Sequence, residues 1–175
     1  MKAPLTFLLL LFSLISTEVF AQQTTSDSTS NPLQPFEFLI GGAWTTSSTY
    51  QVYEWGLAKK SVNAKLYFIE ADTMRLAGDI TWFWHPGNNQ IIGFGTADGM
   101  GVDVFDYNTR FETPTRMINL FKAYGERDAN SELQMETLEF INEDEYLWTY
   151  YNFIGDEASP AYSKVFKRSE KIPIR

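Results

Sequence analysis

The sequence contains no cysteine and a single histidine, His85. Without cysteine the chain can form no disulfide, no thiolate metal site and no lipid attachment at a lipobox. A metal would have to be held by carboxylates. The acidic turns, such as "NEDE" at 142–145, lack the regular spacing of a calcium-binding loop. We therefore predict no metal site.

Sequence motifs for catalysis are also missing. There is no G-x-S-x-G nucleophile motif, and the glycine-rich "GFGTADGMG" at 93–101 is not followed by a helix that could bind phosphate. In the alternation of a strand, His85 lies with Thr81 and Phe83, opposite Trp82 and Trp84. Since Pro86 and Gly87 follow it, we predict that His85 ends a strand at the barrel rim. We predict no catalytic residue.

Positive charge is scarce. Lysine and arginine number 14 against 22 aspartates and glutamates, and the formal net charge is −8. Nucleic acids are bound through clustered basic residues that neutralise phosphates, and anionic lipid surfaces attract basic segments. The composition therefore disfavours both nucleic acid and anionic membranes as partners.

No apolar run reaches the length of a membrane-spanning helix, which is about 20 residues. The longest, "PLTFLLLLFSLIS" at 4–16, follows Lys2 and precedes the small-residue sequence "VFA" at 19–21. This pattern is typical of a secretory signal peptide. We predict a signal peptide at 1–21, a disordered leader at 22–32, one domain at 33–169 and a tail at 170–175. The protein is then exported, to the periplasm or the medium, with no membrane span.

What the chain does contain is a succession of strand patterns. Short runs rich in Val, Ile, Thr, Tyr, Phe and Trp alternate with turns such as "PGNN" at 86–89. The connections are too short for crossover helices, so neighbouring strands are antiparallel. We predict an all-β fold, a single antiparallel up-and-down β-barrel of about ten strands, with a short helical turn in "LQPFEFLIGG" at 33–42. The first strand is expected at Trp44–Tyr50 and the sixth at Gly101–Tyr107. A β-sandwich is the alternative.

One segment carries a resemblance. In "FEFLIGGAWTTSS" at 36–48, a helical turn and a glycine pair precede a tryptophan that opens the first strand. This resembles the start of calycin-type barrels: lipocalins, fatty-acid-binding proteins and the nitrobindin-like group. "YEWGLAKKSVNAKLYF" and "WFWHPGNNQIIGFG" resemble exported bacterial lipocalin-like proteins. The resemblance implies that Trp44 plugs the closed end of the barrel. The Gly-rich continuation of haem-binding nitrobindin-like barrels is absent, so no haem or other cofactor is expected.

Aromatic residues make up 16% of the chain, and they suggest a lined interior. Phe, Tyr and Trp offer large apolar faces, and Tyr and Trp each add a polar group. We predict that the lumen, the interior of the barrel, binds a small apolar or amphipathic molecule without catalysis. The predicted ligand-binding residues share one face of the wall: Trp55, Trp82, Trp84, Phe94 and Trp148.

Two other functions stay open. The lumen could house an isomerase or hydrolase that uses Glu54 or Glu139 as an acid or base, although Glu54 points away from the face of Trp55. The outer surface could instead bind a protein or a glycan. An empty lumen with a buried carboxylate would favour the enzyme, an empty lumen with aromatic residues alone a carrier, and a filled lumen the surface module. Charged residues also interrupt the strands at Lys65, Arg116 and Lys164.

Overall fold

The computed structural model describes residues 31–71, 73–125 and 132–170. The predicted signal peptide, and the predicted leader as far as residue 30, lie outside the described residues, as do residues 171–175 of the predicted tail. Two short 3-10 helices span Gln34–Leu39 and Leu57–Lys59. The strands are β1 Ala43–Thr45, β2 Thr49–Trp55, β3 Ser61–Glu70, β4 Thr73–His85, β5 Gln90–Ala97, β6 Val104–Thr113, β7 Arg116–Tyr124, β8 Gln134–Asn142, β9 Glu145–Ile154 and β10 Glu157–Ser169.

The ten strands form one closed antiparallel barrel, in which each strand pairs with its neighbours in the chain. The ring is completed where β1 pairs with β10, from Ala43 opposite Ser169 to Thr45 opposite Lys167. The prediction of an all-β, up-and-down barrel with a short N-terminal helical turn is confirmed. In the part of the chain that the structure describes, no helix is both long and apolar enough to cross a membrane.

The first and the sixth strands differ from their predicted bounds. The first strand is divided, because Thr46 forms a turn in which its Oγ1 accepts hydrogen bonds from the backbone N–H groups of Ser48, at 3.2 Å, and Thr49, at 3.1 Å. Hydroxyl groups that bond nearby backbone groups in this way compete with strand pairing. The sixth strand begins at Val104 and continues to Thr113. Its polar residues alternate with buried ones, as in any strand with one solvated face.

The N-terminal 3-10 helix covers one end of the barrel. Phe36 and Leu39 are fully buried, and the Phe36 ring lies 5.7 Å from that of Trp82 on β4 and 5.1 Å from that of Phe111 on β6. The helix therefore packs against the inner wall at β4 and β6, which lie on either side of β5. Gly41 and Gly42 follow with φ angles of +80° and +97°, a backbone conformation that favours glycine.

Trp44 on β1 lies at this closed end, where the resemblance predicts it. Its side chain has no exposed surface. The indole Nε1 donates a hydrogen bond to the carbonyl of Leu39 at 2.9 Å, and its ring lies 4.8 Å from the ring of Tyr146 on β9. Trp44 thus joins the covering helix to the barrel wall.

Arg168 on β10, which pairs directly with Trp44, stabilises the same end. Its guanidinium carbon lies 4.3 Å from the centre of the Trp44 ring, within the range of a cation–π interaction. The guanidinium also donates hydrogen bonds to the carbonyls of Phe38, at 2.7 Å, and Gly41. The last strand therefore holds the segment that precedes the first strand.

Candidate functional site

The barrel encloses a cavity of about 440 Å³, lined by side chains from β2 to β4 and from β6 to β10. A volume of this size falls within the range of about 300–1,000 Å³ that is common for small-molecule sites. Aromatic side chains form much of its wall: Trp82, Phe105, Tyr107, Phe121, Trp148 and Tyr150.

The cavity extends to the end of the barrel that lies opposite the N-terminal 3-10 helix. There it is lined by Thr49 at the start of β2, by Phe68 near the end of β3 and by Met100 in the loop between β5 and β6. These strand ends and this loop lie at the end of the barrel opposite the covered one. The cavity therefore has a covered floor, formed over the N-terminal helix, and a mouth between the loops at the opposite end.

Four of the five predicted ligand-binding residues lie on the inner face of the wall. Trp82 and Trp148 line the cavity. Trp55 and Trp84 are partly buried and pack against the core, on the strands β2 and β4 that run toward the covered end. The predicted face is therefore correct for the tryptophans, but Trp55 and Trp84 lie beside the core rather than along the cavity.

Phe94 is a correction, because it lies on the outer face and is 51% exposed. In the ladder between β4 and β5, Phe94 pairs with Thr81 and Gly93 pairs with Trp82. Directly paired residues share a face of a sheet, so the inward positions on either side of Phe94 belong to Gly93 and Gly95. A Cβ atom on Gly93 would come within 2.6 Å of Cδ1 of Trp82. The indole therefore occupies the space that a side chain on β5 would otherwise need.

Glu136 on β8, an acidic residue that was not predicted as a site residue, points into the cavity. Its Oε1 accepts a hydrogen bond from Nδ2 of Asn119 at 2.8 Å, and its Oε2 accepts one from Nε1 of Trp148 at 2.7 Å. Asn119 is itself fully buried, and its Oδ1 accepts a hydrogen bond from Oγ1 of Thr109 at 2.6 Å. A polar network therefore crosses four neighbouring strands and ends at the carboxylate.

Burial raises the pKa of Glu136 above its usual value, while the hydrogen bonds from Asn119 and Trp148 act in the opposite direction. Removal from water disfavours the charged form, and donors to its oxygens favour it. A carboxyl group of this kind can exchange a proton closer to neutral pH than a glutamate at the surface.

Tyrosine hydroxyl groups share the interior with Glu136. Burial raises the pKa of Tyr53 and of Tyr107, and the negative charge of Glu136 raises both further. The hydroxyl of Tyr53 donates a hydrogen bond to Oε1 of Gln51 at 3.0 Å, and that of Tyr146 donates to the same oxygen at 2.6 Å. These tyrosines stay neutral. Tyr53 and Tyr107 line the cavity, where their hydroxyl oxygens can accept a hydrogen bond from a bound molecule, whereas Tyr146 does not line it.

The two carboxylates predicted for an enzyme lie outside the barrel. Glu54 is exposed on β2, between the inward positions of Tyr53 and Trp55. Glu139 on β8 is 57% exposed and lies 3.9 Å from Nε of Arg116. Both assignments are therefore wrong as lumen acids. The sequence did indicate this difference. Along the strand, Glu136 shares a face with the buried Leu138, whereas Glu139 lies on the opposite face.

His85 ends β4, as predicted. Its Nδ1 accepts a hydrogen bond from the backbone N–H of Asn88 at 3.2 Å, so the imidazole stabilises the turn that follows the strand. It pairs with Gln90 across the hairpin and does not line the cavity. Across residues 31–71, 73–125 and 132–170, no three His, Cys, Asp or Glu side chains gather into a group that could hold a metal.

No protein-family model matches the chain, and no curated protein matches it in sequence. The closed antiparallel barrel of ten strands is compatible with a calycin-like fold.

Proposed function

We propose that this protein binds a small, largely apolar or amphipathic molecule in the lumen of the barrel. The observation that carries the proposal is the cavity of about 440 Å³ with aromatic walls and a covered floor. Large aromatic side chains usually fill a small barrel completely. In this barrel they leave a space, and an apolar molecule is the occupant that such walls favour.

Binding would be driven by removal of apolar surface from water, at about 25 cal/mol for each Å² buried. The few polar groups inside would fix the orientation of the molecule. Glu136 and Gln51 are placed for this role, because both line the cavity and both are held by hydrogen bonds to neighbouring side chains.

We also propose that the chain is a lipocalin-like member of the calycin fold and that it is exported from the cytoplasm. The strand order and the buried Trp44 support the first part. The apolar segment after Lys2 and the small residues before Gln22 support export.

Titration with N-phenyl-naphthylamine, an uncharged apolar fluorophore, tests lumen binding. Trp82 and Trp148 line the cavity, so a fluorophore bound there should quench tryptophan emission with saturation. The Ala64→Phe variant places a ring in the cavity from β3, where Ala64 is 6% exposed and part of the lining. We expect its affinity for the fluorophore to fall at least about tenfold, which is a loss of about 1.4 kcal/mol.

Glu54→Phe is the matched control, because it adds the same ring to the outer face of the adjacent strand β2. It should bind the fluorophore like the parent protein, and circular dichroism should show that both variants are folded. If Ala64→Phe and Glu54→Phe bind equally well, the fluorophore is not in the lumen and the proposal is wrong.

Acid–base catalysis is the second candidate function. Glu136 favours it, because an open lumen with a buried carboxyl group is the arrangement expected of an enzyme rather than of a purely aromatic carrier. A buried carboxyl with a raised pKa is suited to take up or release a proton near neutral pH. Native mass spectrometry of protein purified from its own host would identify a bound molecule. A carrier returns that molecule unchanged after incubation. An enzyme alters it, and the Glu136→Gln variant should then stop the conversion.

A further inference from the structure

The cavity lining carries one acidic side chain, Glu136, and two basic ones, Lys65 and Lys164. Of these charged residues, Glu136 is the one whose charged group is hydrogen-bonded to other side chains of the inner wall, those of Asn119 and Trp148. Lys164 belongs to the mouth, where its Nζ lies 3.4 Å from Oγ of Ser48 and 5.3 Å from the centre of the Tyr162 ring. Lys65 is exposed on β3. A molecule in the lumen therefore meets the acidic Glu136 on the wall, and Lys164 supplies a positive group nearer the mouth.

Glu136 has neutral partners for both of its oxygens. Asn119 and Trp148 each donate one hydrogen bond, whereas a carboxylate offers about four acceptor positions. Within residues 31–71, 73–125 and 132–170, no lysine, arginine or histidine forms an ion pair with it. A buried charge without an opposite charge is costly. A positively charged ligand would supply the missing partner.

Aromatic rings surround the carboxylate. Tyr150 is paired directly with Glu136 across β8 and β9, so the two side chains share the inner face. Trp148 is bonded to it, and the hydroxyl groups of Tyr53 and Tyr107 lie close enough for its charge to affect their pKa. The faces of aromatic rings attract cations. The carboxylate and the rings therefore favour the same kind of ligand group.

We propose that the lumen selects molecules that carry an ammonium group on an apolar body, with the ammonium group bonded to Glu136 and the body against the aromatic wall. This inference rests on the proposed lumen binding and adds the chemical class of the ligand. A fatty acid is disfavoured at this position, because its carboxylate would lie near the carboxylate of Glu136, and the cation of the lining, Lys164, lies at the mouth.

Three compounds with the same chain and different head groups test this: octylamine, octanol and octanoate. Each is used to displace N-phenyl-naphthylamine from the parent protein near neutral pH. We expect octylamine to bind at least about tenfold more tightly than octanol, the gain that a hydrogen bond to a charged group provides. Octanoate should bind more weakly than octanol. If octanol or octanoate binds as tightly as octylamine, the proposal of an ammonium ligand is overturned.

The Glu136→Gln variant should bring octylamine to the affinity of octanol. Glu139→Gln is the matched control, because it removes the same charge from the outer face of the same strand. It should keep the preference for octylamine, and an equal loss in both variants would overturn the proposal. If Glu136→Gln does not fold, the comparison of the three compounds on the parent protein tests the proposal by itself. If none of the three compounds binds and Ala64→Phe has no effect on the fluorophore, lumen binding itself is wrong.

Discussion

Replacing Trp44 by alanine should strongly destabilise the closed end of the barrel. The change removes a ring with no exposed surface, its contact with Tyr146 at 4.8 Å and the stacking of Arg168 at 4.3 Å. It also leaves the carbonyl of Leu39 without the indole donor that lies at 2.9 Å. Truncation of a buried aromatic residue to alanine costs about 3–5 kcal/mol, and we expect a loss of that size in the free energy of unfolding.

Urea unfolding followed by far-ultraviolet circular dichroism measures this loss without relying on tryptophan emission. With a denaturant dependence of about 2 kcal/mol per molar, the midpoint should fall by roughly 1.5–2.5 M. Trp44→Phe should fall less, because the phenyl ring keeps most of the packing and the main loss is one hydrogen bond, about 1–3 kcal/mol. Phe83→Ala is the control on the outer face, where Phe83 is 37% exposed, and its midpoint should change little.

Two results would refute the reasoning about Trp44. If Trp44→Ala unfolds at the midpoint of the parent protein, the covered end does not contribute to stability. If Trp44→Phe loses as much as Trp44→Ala, the hydrogen bond to Leu39 and not the burial of the ring is what stabilises this end.

The other two predictions concern single titratable residues. Burial raises the pKa of Glu136 in the folded protein above its value in the unfolded chain. At a pH between these two pKa values, the folded protein holds a proton that the unfolded chain has released. The free energy of unfolding should therefore fall as the pH rises through that interval, by at most about 1.4 kcal/mol per pH unit. Urea midpoints of Glu136→Gln should lack this contribution, and a difference from the parent that is constant with pH would contradict it. For His85, titration with hemin should give no specific shift of the Soret band. A stoichiometric shift that is lost in His85→Ala would show that the imidazole binds haem.

The strand order was predictable because it depends on local patterns. Turn residues such as Gly87 and Asn88 mark the ends of runs with high strand propensity, and the connections are too short for anything but antiparallel pairing. The division of the first strand was not predictable in the same way. Thr46 and Thr49 have high strand propensity, and a hydrogen bond of 2.6 Å between their hydroxyl oxygens turns the chain instead.

The site was only partly predictable, because the inner and outer faces depend on the register between strands. Phe94 was expected on the face of Trp82 from its position in the hairpin, yet the pairing of Gly93 with Trp82 puts it outside. Glu136 was missed because an acidic residue usually faces solvent. The size of the cavity is set by packing across the barrel. It depends on how far the paired rings of Tyr107 and Phe121, with centres 5.3 Å apart, lie from the strands that face them. No pattern along one strand predicts the distance across the barrel.

The short β1 strand makes the wall unequal around its circumference. β10 has 13 residues, and β1 pairs with it from Lys167 to Ser169. Among the described residues, no strand pairs with β10 on that side before Lys167. Moving β10 away from β2 near the mouth therefore breaks no backbone hydrogen bonds between paired strands. The side chains of Lys164 and Ser48, with Nζ and Oγ 3.4 Å apart, connect the two sides there. A bulky guest that entered along this seam would separate no paired strands, whereas elsewhere it would have to.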